Sequence, residues 1–549
     1  MTLFTGSITL LGLLAFCWSV GNAFPRNHEA RDFGVWTGLL AVLALSSLVH
    51  FFTPIGSLGA RAIICMFGLV GLLRSLWSAY TVAKLRAALT SKAACGLAGV
   101  VVATTALSLR AVTNADSGLY HFQAVEFLRS ERFIIGWANL HIRLAHPSSA
   151  YQIAALAENG LWGSDGYRLT AALIMVLTVL TFAGALTRLR GESGGPSDAF
   201  LVVALPCVWG MLLFNTAYFS GVALDGTTAL VGVVAAGRVL RFMEQRSAPS
   251  LVDAAVVVAI AYSLRPINAW FVLVLLVALF VFRGDPEISL RHVALPVAFI
   301  GLFIARTWLL SGVPVFPVGR GTPWTPWAIS SDEVAQYRDV VATSARGSLE
   351  PLWADFSLFA GWVDGLSIYL GGFSLAGLLS TALVVRLRTT RRPWGMALIL
   401  GLVTVFVPVL IWFFFGPNFR FGMAPLASLA ALPVLFLQIG EGRNASSHEV
   451  RSLTRWTSLV LVLLLVVVPA LGSHRTSLLR PMTSPSVRPT GERPPVVEVS
   501  RYGDISISAP LGDASFCGRE VWCVPDPSLA ERLEVRRLLL WHLVTRRDG

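Results

Sequence analysis

The stretch KAACGLAGVVVATTALSLRAV (92–112), followed directly by TNADSGLYH (113–121), decides the fold of this chain. Its first part is an apolar run of the length that crosses a bilayer as one helix, about 20 residues. Its second part is polar, and the polar segment continues to residue 165, where the next apolar run begins. Because charged groups are costly in hydrocarbon, the acid, histidines and arginine of segment 113–165 must lie at a membrane surface or in a water-filled cavity.

The composition of the whole chain agrees with a protein embedded in lipid. Of its 549 residues, 55% are hydrophobic and only 13% are charged, and the mean hydropathy is +0.68. These values are typical of a polytopic membrane protein and exclude an ordinary soluble domain. The net charge of +12 does not indicate nucleic acid as a partner, because the basic residues occur in short clusters between apolar runs.

Apolar runs of spanning length recur along most of the chain and predict an all-α polytopic membrane protein with about 14 transmembrane helices. The predicted spans are 3–22, 34–53, 58–79, 92–112, 166–187, 198–216, 220–238, 251–266, 268–283, 292–311, 366–385, 394–415, 421–439 and 456–472. The chain start lacks the basic residues of a secretory signal, so the first span is expected to be retained.

The basic clusters predict the orientation of these spans. Clusters at 84–92, 238–246 and 386–392 fall on one side when the spans are counted, and this side is predicted to be cytoplasmic. The parts that then lie on the opposite, exoplasmic side are segments 113–165 and 312–365, the short turns at Arg265 and Arg420, and the C-terminus.

Short elements are also predicted on the exoplasmic side. Residues 117–130 repeat apolar side chains at helical spacing, which predicts an amphipathic helix at the membrane interface, and 148–162 is a second candidate. The tail is predicted to contain an extended stretch (481–496), a strand (496–508), a turn holding Cys517 and Cys523, and a helix from Pro527 to about Arg546. A disulfide between the two cysteines requires an oxidising compartment.

Asp116 is the first candidate for chemistry, because it lies at the exoplasmic boundary between the fourth span and a predicted helix. An aspartate at this place commonly caps the helix N-terminus by accepting hydrogen bonds from free backbone N–H groups. The same carboxylate could act as a general base and accept the proton of an incoming hydroxyl group. The sequence leaves both roles open.

Tyr120, His121, Asn139, His141 and Arg143 follow on the same polar segment. A histidine can transfer protons, and the guanidinium group of an arginine can bind a phosphate through several donors. Alternatively, these groups satisfy one another's hydrogen bonds and make the loop rigid. A divalent metal on Asp116 and the histidines is weakly supported, because the spacings are five positions and not the four that aligns two ligands on a helix face. No cofactor is therefore predicted.

Arg265 and Arg420 stand out because each lies in a very short exoplasmic turn beside two spans. Ionisable groups at such a depth are functional candidates, and a lipid-linked phosphate would explain positive charge there. Snorkelling toward lipid headgroups is the alternative. Asp225, near the start of the seventh span, is a further carboxylate that could line the same cavity, whereas Asp165 is predicted to cap a helix.

These residues carry a resemblance to a known class. A carboxylate at the end of a span, in the first large exoplasmic loop and before an interfacial helix, resembles the GT-C class of integral membrane glycosyltransferases. The strings DSGLYHFQA (116–124) and NLHIRL (139–144) look like a group of bacterial multi-pass membrane proteins with a D-x-GLYH-x-QA … NLH-x-RL signature. The likeness extends to NFRF (418–421) and to the tail cysteines.

The resemblance implies a polyprenyl-phosphate sugar donor, a glycan, lipid or protein acceptor of the cell envelope, and a place in the bacterial plasma membrane. Asp116 would be the base, with inversion at the anomeric carbon, and Arg265 and Arg420 would bind phosphate. The implied parts are additional N-terminal helices (1–91), a GT-C-like core (92–472) and an exoplasmic C-terminal α/β segment (473–549). The chain departs from the class in having four spans before the catalytic loop and serine, not a second acid, at position 117.

Two other functions remain open at this level. A transporter or flippase of a lipid-linked saccharide would be expected to show inverted repeats and ionisable residues at mid-membrane, whereas most charges here lie at the ends of spans. An envelope polysaccharide polymerase or ligase would depend on Arg265, Arg420 and His141 more than on Asp116.

Overall fold

The computed structural model shows a mostly helical protein with a small region of β-sheet near the C-terminus. It describes residues 2–22, 34–77, 91–110, 112, 114, 116–158, 165–190, 194–214, 219–222, 224–285, 288–319, 321, 324–346, 396–415, 419–432, 496–502, 504–510, 517, 520–538 and 541–546. The predicted spans 366–385 and 456–472 lie outside the described residues.

The helices follow most of the apolar runs of the sequence. In chain order they are α1 (Leu3–Asn22), α2 (Gly34–His50), α3 (Leu58–Trp77), α4 (Ser91–Ser108), α5 (Phe122–Ser130), α6 (Ser149–Glu158), α7 (Leu169–Arg190), α8 (Pro196–Phe214), α9 (Leu224–Gln245), α10 (Ala248–Leu264), α11 (Ala269–Val281), α12 (Ala294–Ser311), α13 (Ser331–Arg346), α14 (Met396–Phe415), α15 (Phe419–Ala430) and α16 (Pro527–Glu531).

Four helical stretches in the described part of the chain are long and apolar enough to cross a membrane. They are Leu3–Asn22, Gly166–Leu189, Leu224–Gln245 and Leu290–Ser311. Each coincides with a predicted span, and shorter apolar helices, such as α2 and α10, coincide with others. The helices are therefore compatible with a membrane protein, whereas the count of fourteen spans remains a prediction.

Helix α9 lies at the centre of the bundle and positions the candidate site. It packs against α7, α8, α10, α11, α14 and α15, and nearly all of its residues are buried. A helix that is apolar on all sides is expected to be buried in this way. Gly232 allows close packing, because a Cβ atom there would lie 3.1 Å from the Cβ of Ala424 on α15.

The polar segment folds into short elements above the bundle. A π-helical turn (Ser117–His121) continues into α5, and β1 (Ile134–Ile135) is followed by two 3₁₀ turns (Trp137–Asn139, Ile142–Ala145) and α6. The predicted helix at 117–130 is confirmed, and α6 confirms most of the second one. Insertions of π-helix into α-helices are frequent at functional sites.

The C-terminal region forms two antiparallel hairpins. Strand β2 (Val496–Tyr502) pairs with β3 (Ile505–Pro510), and β4 (Leu533–Leu538) pairs with β5 (Trp541–Arg546). Strand β5 also pairs in parallel with β1 of the polar segment, with Ile134 opposite His542. The tail is thereby joined to the loop that carries Asp116.

The predicted helix from Pro527 to Arg546 is wrong. Only α16 (Pro527–Glu531) is helical, and the rest is the hairpin of β4 and β5. The basic residues and leucines of this stretch are good helix formers, but β-structure propensity depends on pairing partners, and β1 supplies one here. The predicted strand at 496–508 is instead the hairpin β2–β3. Cys517 and Cys523 are joined by a disulfide, as predicted.

Candidate functional site

Asp116 lies at the start of the π-helical turn, but its side chain makes no capping hydrogen bond. The capping role considered from the sequence is therefore wrong. Instead the carboxylate accepts hydrogen bonds from two arginines: Arg143 Nη1 lies 2.6 Å from Oδ1, and Arg420 Nη1 lies 2.8 Å from Oδ2. The backbone N–H of Asp116 donates to Asn114 Oδ1, which holds the residue in place.

A second carboxylate belongs to the same group of charges. Asp225, in the first turn of α9, lies 2.5 Å from Arg265 Nη2, and Arg420 Nη1 lies 4.0 Å from its Oδ2. We call Asp116, Asp225, Arg143, Arg265 and Arg420 the Asp–Arg cluster. Three guanidinium groups oppose two carboxylates, so the cluster carries a net formal charge of +1.

The five members come from separate parts of the chain and meet through local geometry. Arg265 has an extended backbone between α10 and the 3₁₀ turn that Pro266 begins, and Arg420 lies in the first turn of α15. The ring of Phe421 holds both side chains, because the two guanidinium carbons lie 4.8 and 4.9 Å from its centroid. Phe421 was not singled out from the sequence, although it directly follows Arg420.

The cluster keeps Asp116 ionised. Burial by itself raises the pKa of this carboxyl, but the arginines Arg420, Arg143 and Arg265 outweigh burial, and the net pKa is lowered. Burial lowers the pKa of Arg265, but Asp225 outweighs it, and the net pKa is raised. Asp116 and Arg265 are therefore charged at neutral pH.

The three histidines of the polar segment are neutral. Burial is the largest cause in each case and lowers the pKa of His121 to about 3, of His141 to about 4 and of His146 to about 3, with nearby arginines acting in the same direction. Both ring nitrogens of His121 lack a hydrogen-bond partner. The buried Tyr120 has a raised pKa because of burial and Asp116, and its ring lies 5.5 Å from the Arg143 guanidinium.

Asn139 has a structural role that the sequence did not reveal. Its Nδ2 donates to the carbonyl oxygens of Gly136, Trp327 and Val544 at 3.0–3.1 Å. The side-chain amide therefore joins the loop to the C-terminal β5 and is not directed at a substrate. The sequence placed Asn139 among substrate-binding candidates, and no contact with the Asp–Arg cluster supports that role.

A cavity of about 480 Å³ opens beside the cluster. Asp225, Arg265 and Arg420 line it together with the aromatic rings of Trp270 and Phe421. Positive charge next to aromatic and apolar walls fits a ligand that carries both an anionic group and a hydrophobic part. Within the described residues, no three side chains of the metal-binding types come together in a way that could hold a metal ion.

Together, the apolar helical bundle and the partly buried Asp–Arg cluster describe a multi-helix protein that is compatible with a membrane location. The family model described as Domain of unknown function (DUF8201) matches residues 2–427, and the chain belongs to this family. The matched region contains the whole cluster and ends before the C-terminal hairpins. No curated protein and no solved structure matches the chain.

Proposed function

We propose that the protein is a membrane glycosyltransferase that transfers a sugar from a polyprenyl-phosphate donor to a glycan, lipid or protein acceptor of the cell envelope. The observation that carries the proposal is the Asp–Arg cluster, in which the carboxylate of Asp116 is held between two arginines at the start of the polar segment. In this proposal the cluster and the disulfide-linked tail face the exoplasmic side of a bacterial plasma membrane.

The excess of arginine supports a donor with a phosphate group. Guanidinium groups form short, charge-assisted and often bidentate hydrogen bonds with phosphate oxygens. Arg265 and Arg420 line the cavity beside the cluster, and the apolar remainder of its wall suits the first units of a polyprenyl chain. The phosphate would compete with Asp116 and Asp225 for these arginines.

This competition for the arginines changes the basicity of the Asp116 carboxylate. Paired with two arginines, the carboxylate is a weak base, because its pKa is lowered. A donor phosphate that takes over Arg420 weakens one of these pairs and makes the carboxylate more basic. Asp116 then accepts the proton of the acceptor hydroxyl, the hydroxyl oxygen forms a bond to the anomeric carbon, and the bond from that carbon to the phosphate oxygen breaks. The arginines stabilise the departing polyprenyl phosphate, and the configuration inverts.

The test is sugar transfer by Asp116→Asn. Membranes containing the wild type or the variant receive radiolabelled polyprenyl-phosphate sugars, and transfer to endogenous acceptors is followed. General base catalysis contributes about 10²–10⁴-fold, so the variant should lose transfer by that factor. Asp165→Asn is a matched control, since it changes the same group in the same segment but pairs with Arg168, outside the cluster.

Two results would contradict the proposal. Unimpaired transfer by Asp116→Asn would exclude the base assignment. Absence of transfer by the wild type from every such donor would exclude the activity and favour a transporter of lipid-linked saccharides. Transfer from a lipid-diphosphate donor only, with a stronger dependence on His141 and Arg420 than on Asp116, would instead favour a polysaccharide polymerase or ligase.

A further inference from the structure

A second cavity lies between the polar segment and α12, apart from the one beside the cluster. It is partly open to solvent, and its lining comes from α5, the polar segment, α6 and α12. Four of the side chains that line it are polar and at most 3% exposed: Trp137, Tyr151, Gln152 and Arg306. The charge-bearing cluster residues do not line this cavity.

Each of these four side chains has a polar atom without a hydrogen-bond partner. The atoms are Trp137 Nε1, Tyr151 Oη, Gln152 Oε1 and Arg306 Nε. Buried polar atoms in folded proteins are nearly always paired, and a group of unpaired ones calls for a specific explanation. Four of them around one cavity are accounted for by a ligand that supplies the missing partners.

The ligand must both accept and donate hydrogen bonds. The Trp137 and Arg306 nitrogens can only donate, the Gln152 oxygen can only accept, and the Tyr151 hydroxyl can do either. A phosphate or carboxylate would leave the Gln152 oxygen unpaired, whereas hydroxyl groups satisfy all four atoms. Trp137 also stacks on Phe127, with ring centroids 3.9 Å apart, and adds a flat apolar surface to the wall.

The charged side chain of Arg306 lies where burial is energetically costly. It lies in the candidate membrane span Leu290–Ser311, and an ionisable group in such a span is a functional candidate. Its Nη1 donates to the carbonyl of Ser47 at 3.1 Å, and its guanidinium carbon lies 5.1 Å from the Phe133 ring centroid. No carboxylate in the described residues pairs with it. The side chain is fixed, and its Nε remains for a ligand.

The second cavity is close to the Asp–Arg cluster. Tyr151 contacts His121, with ring centroids 5.6 Å apart, and His121 lies within electrostatic reach of Asp116. Ser148, another lining residue, donates to the carbonyl of Leu264 at 2.9 Å, directly before Arg265. Two lining residues of this cavity therefore contact His121 and the backbone next to Arg265.

We infer that the second cavity is a binding site for a saccharide. Resting on the proposed function, we further assign it to the acceptor, so that donor phosphate and acceptor sugar occupy different cavities. Saccharide binding by the cavity is independent of the transfer reaction and can be tested without it.

The test uses the full-length protein in lipid nanodiscs and a panel of methyl glycosides of common hexoses and pentoses. Binding is followed by saturation-transfer-difference NMR, with dissociation constants from titration. Tyr151→Phe removes one hydroxyl that has no partner in the free protein, so folding should be retained while the bound glycoside loses one hydrogen bond. The expected result is about tenfold weaker binding. Trp137→Phe should have a similar effect.

Tyr262→Phe is the matched control, because Tyr262 is also a buried tyrosine but lines neither cavity. It should leave glycoside binding unchanged. Glycoside binding that is insensitive to Tyr151→Phe and Trp137→Phe, or no binding of any glycoside by the wild type, would overturn the assignment. Loss of glycoside binding in Tyr151→Phe without any sugar transfer by the wild type would support the saccharide site and refute the proposed function.

Discussion

Asp116→Asn should separate anion binding from sugar transfer, because it removes the proposed base and also increases the positive charge of the Asp–Arg cluster. Arg143 and Arg420 lose their shared carboxylate partner. Three guanidinium groups then oppose one carboxylate, and the net formal charge rises from +1 to +2. The variant should therefore bind pyrophosphate more tightly than the wild type while it loses transfer.

The size of this effect follows from the charge that is removed. A unit charge about 5 Å from a bound phosphate contributes about 3 kcal/mol at an effective dielectric constant of about 20. The side chain of Asp116 is 12% exposed and those of its partners are 29% and 26% exposed, so water and salt screen a part of it. If about half of this electrostatic energy remains after screening, the binding free energy changes by about 1.5 kcal/mol, which is about tenfold in the dissociation constant.

The assay is isothermal titration calorimetry of pyrophosphate into the protein in nanodiscs, at two salt concentrations. Arg420→Gln is the opposite change, since it lowers the net charge of the cluster to zero, and it should weaken binding about tenfold. Asp165→Asn adds the same unit of charge outside the cluster and should leave binding unchanged. If Asp116→Asn binds pyrophosphate no more tightly than the wild type does, the cluster is not the anion site.

Three further predictions concern stability, the tail and the second carboxylate. The three histidines of the polar segment, His121, His141 and His146, have a pKa lowered by burial. Unfolded histidines bind protons near pH 6.5, so each of the three should lower the free energy of unfolding by about 1.4 kcal/mol per pH unit as pH drops from about 6.5 to about 4. Denaturant titrations across that range measure the slope, and His146→Gln should reduce it by about 1.4 kcal/mol per pH unit. Gln123→Leu removes two hydrogen bonds to the carbonyls of Val521 and Cys523, which should lower the hydrogen-exchange protection of 520–538 while α9 stays protected. Asp225→Asn should reduce transfer far less than Asp116→Asn does, and equal losses in a kinetic comparison would contradict the choice of base.

The sequence predicted those parts of the fold that depend on local pattern. The boundaries of α1 and α7 follow directly from apolar runs, and the helix at 117–130 follows from its spacing. The strands within 527–546 were not predicted, because β5 pairs with β1, which lies far away in the sequence. Pairing between distant segments leaves no periodic signal in either segment alone.

For the same reason, only part of the candidate site could be predicted from the sequence. Arg265 and Arg420 were conspicuous because positive charge is unusual in short turns that are predicted to be exoplasmic, and both side chains do meet at the cluster. Asn139 was misplaced, because the three carbonyl oxygens that it binds come together only in the folded chain. Arg306 was missed, since one arginine within an apolar run does not indicate whether a carboxylate is near.

No second acid directly follows Asp116 in the sequence, and Asp225 is the candidate for that position in the fold. Enzymes of the GT-C class often have two adjacent acids, whereas Asp116 is followed by serine. Asp225 joins the cluster from α9, with Arg420 between the two carboxylates. Its side chain is only 2% exposed and is covered by Arg265, whereas that of Asp116 is 12% exposed. In the proposed reaction, an acceptor hydroxyl therefore approaches Asp116 more readily than Asp225, and Asp225 holds the arginines in place.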